Sequence, residues 1–194
     1  MDLKGKTIIL GSNSPRRREL MTGLGVDFIV DTGNTFSEDY SPETPYDEVP
    51  ILMSEGKSHG YHRKLSDNEI LITADTMVIL SDEILGKPHD REDAQRMLHD
   101  LSGHEHKVIT AVTFRNSRRI KTVTDSTLVW FKDLTDSEID YYLDNYHPYD
   151  KAGGYGVQEW IGYIAIARIE GSFFNVMGFP VHKVYSLLME FLED

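Results

Sequence analysis

Leu10-Gly11-Ser12-Asn13-Ser14-Pro15-Arg16-Arg17-Arg18-Glu19-Leu20 is the stretch on which the reading of this chain turns. It follows the apolar run Thr7-Ile8-Ile9-Leu10, which reads as a short buried strand, and it opens a segment to Leu24 that reads as a helix. Ser14 suits an N-cap, and Pro15 suits the first helical position, where its missing N–H costs nothing and its φ is already helical. The free N–H groups and positive dipole end of such a helix form an anion site, to which the hydroxyls of Ser12 and Ser14 add donors. Arg16, Arg17 and Arg18 place positive charge in the first turn, against the dipole. Either they meet an anion there, or they are solvated arginines on a capped surface helix.

The composition narrows what such an anion can be. The chain has 194 residues, enough to bury roughly 70% of its unfolded surface without a disulfide or metal staple. It contains no cysteine, which agrees with a reducing, cytoplasmic setting. The apolar runs are too short to span a bilayer, so a soluble intracellular protein with no membrane partner is expected. A formal charge of −12 repels a nucleic-acid backbone over most of the surface, so a nucleic-acid partner is not expected. Basic residues concentrated in particular loops fit a small anionic ligand better.

Outward from the opening stretch, Gly23 and Gly25 punctuate the first helix and Phe28-Ile29-Val30 reads as a strand. The polar segment from Asp31 to Pro50, with Glu38, Asp39 and Glu43, reads as a long loop, and a loop of that length is usually functional. A helix is expected from Val49 to Leu65, carrying Lys57. In Glu69-Ile70-Leu71-Ile72-Thr73-Ala74-Asp75-Thr76-Met77-Val78-Ile79-Leu80, two apolar runs flank one carboxylate, which predicts buried strands with Asp75 at a break or strand end. A charge so placed pairs with a cation, binds a metal or lines a cleft.

Gly86 and Pro88 hold Lys87 on a stiff loop, Asp90 caps a helix to about Leu101, and Gly103 ends it. His104-Glu105-His106 lacks a nearby third ligand for a metal site and reads as a solvated strand entrance. Val108 to Phe114 and Arg118 to Phe131 read as a hairpin about Asn116-Ser117. Thr135 and Glu138 form a capping box for a helix to about Asn145, near a tyrosine cluster of Tyr141, Tyr142, Tyr146 and Tyr149. In Tyr149-Asp150-Lys151-Ala152-Gly153-Gly154-Tyr155-Gly156-Val157-Gln158, the glycines allow close backbone approach to a ligand and Lys151 adds charge. Ile161 to Ile169 reads as a central strand, Phe173 to Val176 as a short extended piece, and the segment after Pro180 as an amphipathic helix to Leu192.

Strand-to-loop junctions thus carry charge at Ser12 to Arg17, Lys57, Asp75, Lys87 and Lys151 to Gln158, and in α/β sheets such junctions commonly converge. If they do, the carboxylates suit a divalent cation and the basic groups suit phosphate oxygens. That is equipment for metal-assisted attack of water on a phosphoanhydride.

In these motifs the chain resembles the Maf nucleotide pyrophosphatases: Leu10 to Arg17, Ala74-Asp75-Thr76, Leu85-Gly86-Lys87-Pro88, Leu101-Ser102-Gly103, Asp150 to Gln158 and Asn175-Val176-Met177-Gly178-Phe179-Pro180 follow the family's order. The resemblance covers nearly the whole chain. It implies an α/β Maf and inosine-triphosphatase-like fold over residues 1–194, a long mixed sheet flanked by helices, with two lobes and a central cleft. It also implies hydrolysis of a nucleoside triphosphate between the α and β phosphates, with Mg²⁺ or Mn²⁺ as cofactor, in a cytoplasmic protein that forms a homodimer. Asp75 matches the family's general base. Arg17, Lys57 and Lys87 match phosphate-binding positions, beside which Ser12 and Ser14 of the helix start are expected to bind phosphate, and Glu38 matches an acidic residue near the metal and triphosphate, with Asp75 as the second carboxylate expected at the metal. Arg16, Thr76 and Gln158 match positions tied to substrate choice, and together they resemble the dTTP and UTP branch. Gly11 and Gly154 stand where the family usually has alanine, and Ser54-Glu55-Gly56-Lys57-Ser58 departs from its Glu-Lys-Ala triplet. The other reading left open is a nucleotide-binding regulator of cell division with slow or incidental hydrolysis.

Overall fold

A computed structural model describes residues 1–193. Strand β1 (Thr7–Leu10) leads into helix α1 (Pro15–Gly23), whose N-cap is Ser14: the Ser14 hydroxyl accepts from the Arg17 amide. Strand β2 (Phe28–Val30) returns parallel to β1. Between it and helix α2 (Val49–His59), the described backbone forms an isolated bridge from Asn34 to Tyr61 and turns closed by the Thr44 amide on the Ser41 carbonyl and the Glu48 amide on the Pro45 carbonyl. Strand β3 (Glu69–Leu80) pairs parallel to β1 through its first residues and antiparallel to β4 (Glu83–Leu85) through its last.

Helix α3 (Arg91–Leu101) starts at Asp90, which accepts from the Asp93 amide. The hairpin of β5 (Glu105–Arg115) and β6 (Ile120–Phe131) follows, and Asn116 closes its turn, donating to the Arg119 carbonyl and accepting from the Arg118 and Arg119 amides. Helix α4 (Asp136–Tyr146) carries the expected capping box of Thr135 and Glu138. Helix α5 (Trp160–Ala165), strand β7 (Ile166–Glu170), the one-turn helix α6 (Phe173–Val176) and helix α7 (Val181–Leu192) complete the chain. The result is an α/β fold whose seven-stranded mixed sheet has the order β2-β1-β3-β5-β6-β7, with β4 on β3. Among the described residues no helix is long and apolar enough to cross a membrane.

The chain divides into two compact units. The first comprises Met1–Asp75, Thr110–Asp125 and Gly178–Asp194, and the second Thr76–Ile109 and Ser126–Met177. Strands β3, β5 and β6 contribute residues to both. Ile8, Ile9, Leu10, Ile70, Leu71 and Ile72 are fully buried in the first unit, as expected of parallel strands covered on both faces. In the second, Leu98, Leu101, Tyr142, Leu143 and Ile161 are fully buried.

Several expectations are corrected. Asp75 does not sit at a break, because β3 runs unbroken through it. Helix α2 stops at His59 rather than at Leu65: Gly60 caps it and Tyr61 turns into the core with Ile9 and Leu71. Ile161 to Ile169 is not a central strand. Its apolar positions Ile161 and Ala165 are four apart, a spacing that one buried helix face also satisfies, and the strand that follows is the sheet's edge. Phe173 to Val176 is helical, since the Ser172 hydroxyl accepts from the Asn175 amide and starts a turn. Asn175 is then buried, donating to the Val108 carbonyl at 3.0 Å and to the Thr127 hydroxyl at 2.9 Å.

The His104-Glu105-His106 entrance is also not solvated throughout. His106 is buried against Phe131 and Tyr155, with Nε2 2.7 Å from the Tyr155 hydroxyl. Burial holds its imidazole neutral, with a pKa pulled down from 6.5 to about 3. The unfolded chain takes up a proton near pH 6.5 that the folded chain refuses, so this site costs stability as pH falls from that value towards 3. From pH 7 to pH 5 the loss is about 2 kcal/mol. Chemical denaturation at the two pH values should show that drop in the wild type, and His106→Gln should reduce it by most of that amount. An unchanged pH slope in the variant would contradict the assignment.

Candidate active site

A carboxylate inside an apolar strand has to be compensated, and the first unit does so from α2. Asp75 is 8% exposed. Its Oδ1 lies 2.6 Å from Lys57 Nζ, which is also 3.0 Å from Glu38 Oε1. Lys57 lies in the last turn of α2, where a cation suits the helix dipole. The helix lies close to β3 because small polar residues face it. Ser54 and Ser58 are fully buried, the Ser54 hydroxyl donates to the Thr73 carbonyl at 3.2 Å, and the Thr73 hydroxyl donates back to the Ser54 carbonyl at 2.8 Å.

From that reciprocal clamp, three residues along the helix advance about 4.5 Å and two along the strand about 6.6 Å, so Lys57 arrives beside Asp75. The clamp continues through hydroxyl contacts from Ser54 to Thr113 and from Thr113 to Thr122, and Thr122 donates to Glu55. Asp75 Oδ2 is buried and has no hydrogen-bond partner among the described residues. Leaving a carboxylate oxygen so placed is costly unless a further cation, water or proton meets it.

The N-terminus of α1 lies in the same unit. Arg17 Nε donates to the Gly178 carbonyl, and its Nη1 to the Ala74 carbonyl, each at 2.9 Å, and Nη1 also reaches the Ser12 hydroxyl at 3.2 Å. The Ser12 oxygen additionally accepts from the Ser14 amide. The two hydroxyls expected to serve as donors therefore act here as acceptors, which orders the turn. Burial pulls the Arg17 guanidinium down to about 10, with neighbouring Asp75 opposing the shift, so it stays charged at neutral pH. Arg16 is half-buried, and Arg18 is exposed. Ser12, Ser14, Arg17, Glu38, Lys57 and Asp75 thus belong to one unit, with direct contacts joining Glu38, Lys57 and Asp75 and joining Ser12, Ser14 and Arg17.

Thr76, Lys87 and Gln158 belong to the second unit. Lys87 is exposed, and its loop is tied to the glycine-rich turn by the Gly153 amide donating to the Gly86 carbonyl at 3.0 Å. Gly153 has φ +68°, and a Cβ there would press on Val78 at 3.1 Å, so glycine is required twice over. Lys151 does not present charge to a ligand. It is buried and paired with Asp150 at 2.8 Å and Glu159 at 3.1 Å. Glu159 also accepts from the Tyr142 hydroxyl, which in turn accepts from the Gly156 amide at 3.0 Å. Gln158 is half-buried, with Oε1 out of solvent and without a hydrogen-bond partner among the described residues.

Sequence reasoning missed the Ser54 and Thr73 clamp and the Glu159 anchor. The signal for the clamp was a small polar residue on the apolar face of α2, and Glu159 carried none.

Among the described residues no three His, Cys, Asp or Glu side chains gather as a metal cage. A family model described as Maf-like protein matches residues 7–191. The chain is 50% identical to a dTTP/UTP pyrophosphatase of Porphyromonas gingivalis, over 100% of this chain and 98% of that one. It is 48% identical to the dTTP/UTP pyrophosphatase of Parabacteroides distasonis, over 98% of each. Identity to that of Christiangramia forsetii is 44%, over 99% of this chain and 97% of the relative.

The Arg17 geometry has a consequence for stability. Arg17→Leu leaves the Gly178 and Ala74 carbonyls without their donor and should lower the unfolding free energy by about 2–4 kcal/mol. Arg18→Leu, on the exposed side, should change it by less than about 0.5 kcal/mol. Urea titration compares the two directly, and equal effects would contradict the role of Arg17 as a backbone clip.

Proposed function

The chain belongs to the Maf family, and on that footing we propose that it hydrolyses dTTP and UTP, and related modified pyrimidine nucleotides, to the nucleoside monophosphate and pyrophosphate. The observation that carries the reading is Asp75, a buried carboxylate with one oxygen on Lys57 and the other without a partner among the described residues. Binding a nucleotide needs cations; a proton acceptor held in an apolar strand serves hydrolysis.

Asp75 takes the proton from the attacking water. The water oxygen bonds to the α phosphorus as the bond from that phosphorus to the oxygen bridging the α and β phosphates breaks, and the bridging oxygen keeps the electron pair and leaves as part of pyrophosphate. Lys57 orients Asp75 until phosphate oxygens arrive, and then shares its charge with them. Arg17 and the Ser12 and Ser14 turn supply fixed positive potential to the triphosphate. Lys87 binds phosphate, and Arg16, Thr76 and Gln158 select the base. The amide oxygen of Gln158 can accept from a ring N–H, which uracil and thymine both carry.

The reading includes a divalent cation, Mg²⁺ or Mn²⁺. Asp75 and Glu38 fit it, because both carboxylates already meet one cation, Lys57, Asp75 keeps its second oxygen without a partner among the described residues, and Mg²⁺ binds to one or two carboxylates with phosphate oxygens and water completing its shell. When bound, it would neutralise charge developing on the phosphates. With nucleoside triphosphates as substrates, the place of action is the cytoplasm.

Incubation with dTTP, UTP and 7-methyl-GTP plus Mg²⁺, with separate assay of pyrophosphate and orthophosphate, tests the proposal. Pyrophosphate should appear first, from dTTP and UTP. No turnover, or orthophosphate as first product, would overturn it. Lys87→Ala should raise KM about tenfold with kcat within about threefold, as expected for loss of a charged phosphate contact; an unchanged KM would remove Lys87 from phosphate binding.

A further inference from the structure

Glu38 sits in the long irregular segment before α2, and its side chain is 57% exposed. An ion pair to Lys57 at that exposure contributes too little to hold a loop by itself. What seats the segment is Phe36. Its ring lies over Gly56, where a Cβ would fall less than 3.0 Å from three ring atoms, and its backbone lies against Gly60, where a Cβ would meet Phe36 N and Cβ at 2.8 Å.

The same end of α2 collects the segment's polar groups. The Asn34 side-chain Nδ2 donates to the Lys57 carbonyl, the Thr35 backbone amide to the Gly60 carbonyl at 2.9 Å, and the Phe36 backbone amide to Asn34 Oδ1 at 2.7 Å. Gly56 costs about 1 kcal/mol relative to alanine inside a helix. The departure from the family's triplet thereby makes room for the ring. The register is set by adjacency: Gly56 precedes Lys57, and Phe36 is two residues before Glu38, so seating the ring on the one brings the carboxylate to the other.

We infer that Phe36, seated on Gly56, is a positioning residue that places Glu38 at Lys57 and Asp75. The inference rests on the hydrolytic reading for its kinetic arm only. Phe36→Ala should lower kcat/KM for dTTP about tenfold, and Gly56→Ala should do the same by displacing the ring. In a Glu38→Gln background, Phe36→Ala should cost less than about twofold, because the group it positions is already gone. Phe36→Tyr should restore most of the activity, and thermal unfolding checks that each variant is folded. Equal fold-losses from Phe36→Ala in the two backgrounds would overturn the inference.

Hydrogen exchange of the amides from Asn34 to Glu38 gives an arm independent of turnover. Protection should be lost in Phe36→Ala and Gly56→Ala and kept in Glu38→Gln. Protection kept in Gly56→Ala, or lost in Glu38→Gln, would overturn the inference by itself. Absence of any turnover by the wild type would instead overturn the hydrolytic reading.

Discussion

The ion pair between Asp75 and Lys57 is the constraint on which the first unit's site depends. A carboxylate in the middle of a strand that is apolar on both sides of it cannot be left uncompensated, and a lysine reaching it must come from an element packed directly on that strand. Helix α2 meets this demand through Ser54 and Thr73, whose reciprocal hydroxyl-to-carbonyl bonds fix its distance and phase over β3. One oxygen of Asp75 is thereby satisfied and the other is not. The proposed hydrolytic role of Asp75 draws on that asymmetry.

In each unit, loop conformation is fixed by side chains that bond back onto the chain. Arg17 ties the Gly178 and Ala74 carbonyls together. In the second unit, Glu159 collects Lys151 and Tyr142, and the glycines beside it give room for that crowding: a Cβ at Gly156 would fall 2.7 Å from the Glu159 carboxyl carbon. Lys151 is consumed in this network, while Gln158, its neighbour in the same turn, keeps a carbonyl oxygen in reserve. In the acidic loop the ring of Phe36 does the holding, and Glu38 remains exposed.

Much of this was legible in the residues, for local reasons. Caps at Ser14, Asp90 and Thr135 depend on side chains bonding amides two or three residues away, and each stands where it was expected. The motif carrying Asp75 was readable because charge in an apolar run has few explanations. What was not legible depended on distant partners or on ambiguous periodicity. The Ile161 to Ile169 run satisfies strand and helix patterns alike, and only the observed packing of Ile161 and Ala165 decides between them. Lys151 looked like a ligand for phosphate because Glu159 gives no sign in sequence of folding back onto it. Gly56 stood out in sequence as part of a departure from the family's triplet, and the ring of Phe36, twenty positions earlier, accounts for it.

The claim at the centre of this account is that Asp75 accepts a proton in the reaction and does more than balance Lys57. Single-turnover hydrolysis of dTTP by Asp75→Asn, with nucleotide affinity measured in parallel, tests it most directly, since asparagine keeps the shape and loses the base. We expect the rate to fall by about 10² to 10⁴ while affinity stays within about threefold. An undiminished rate, or a loss confined to binding, would contradict it.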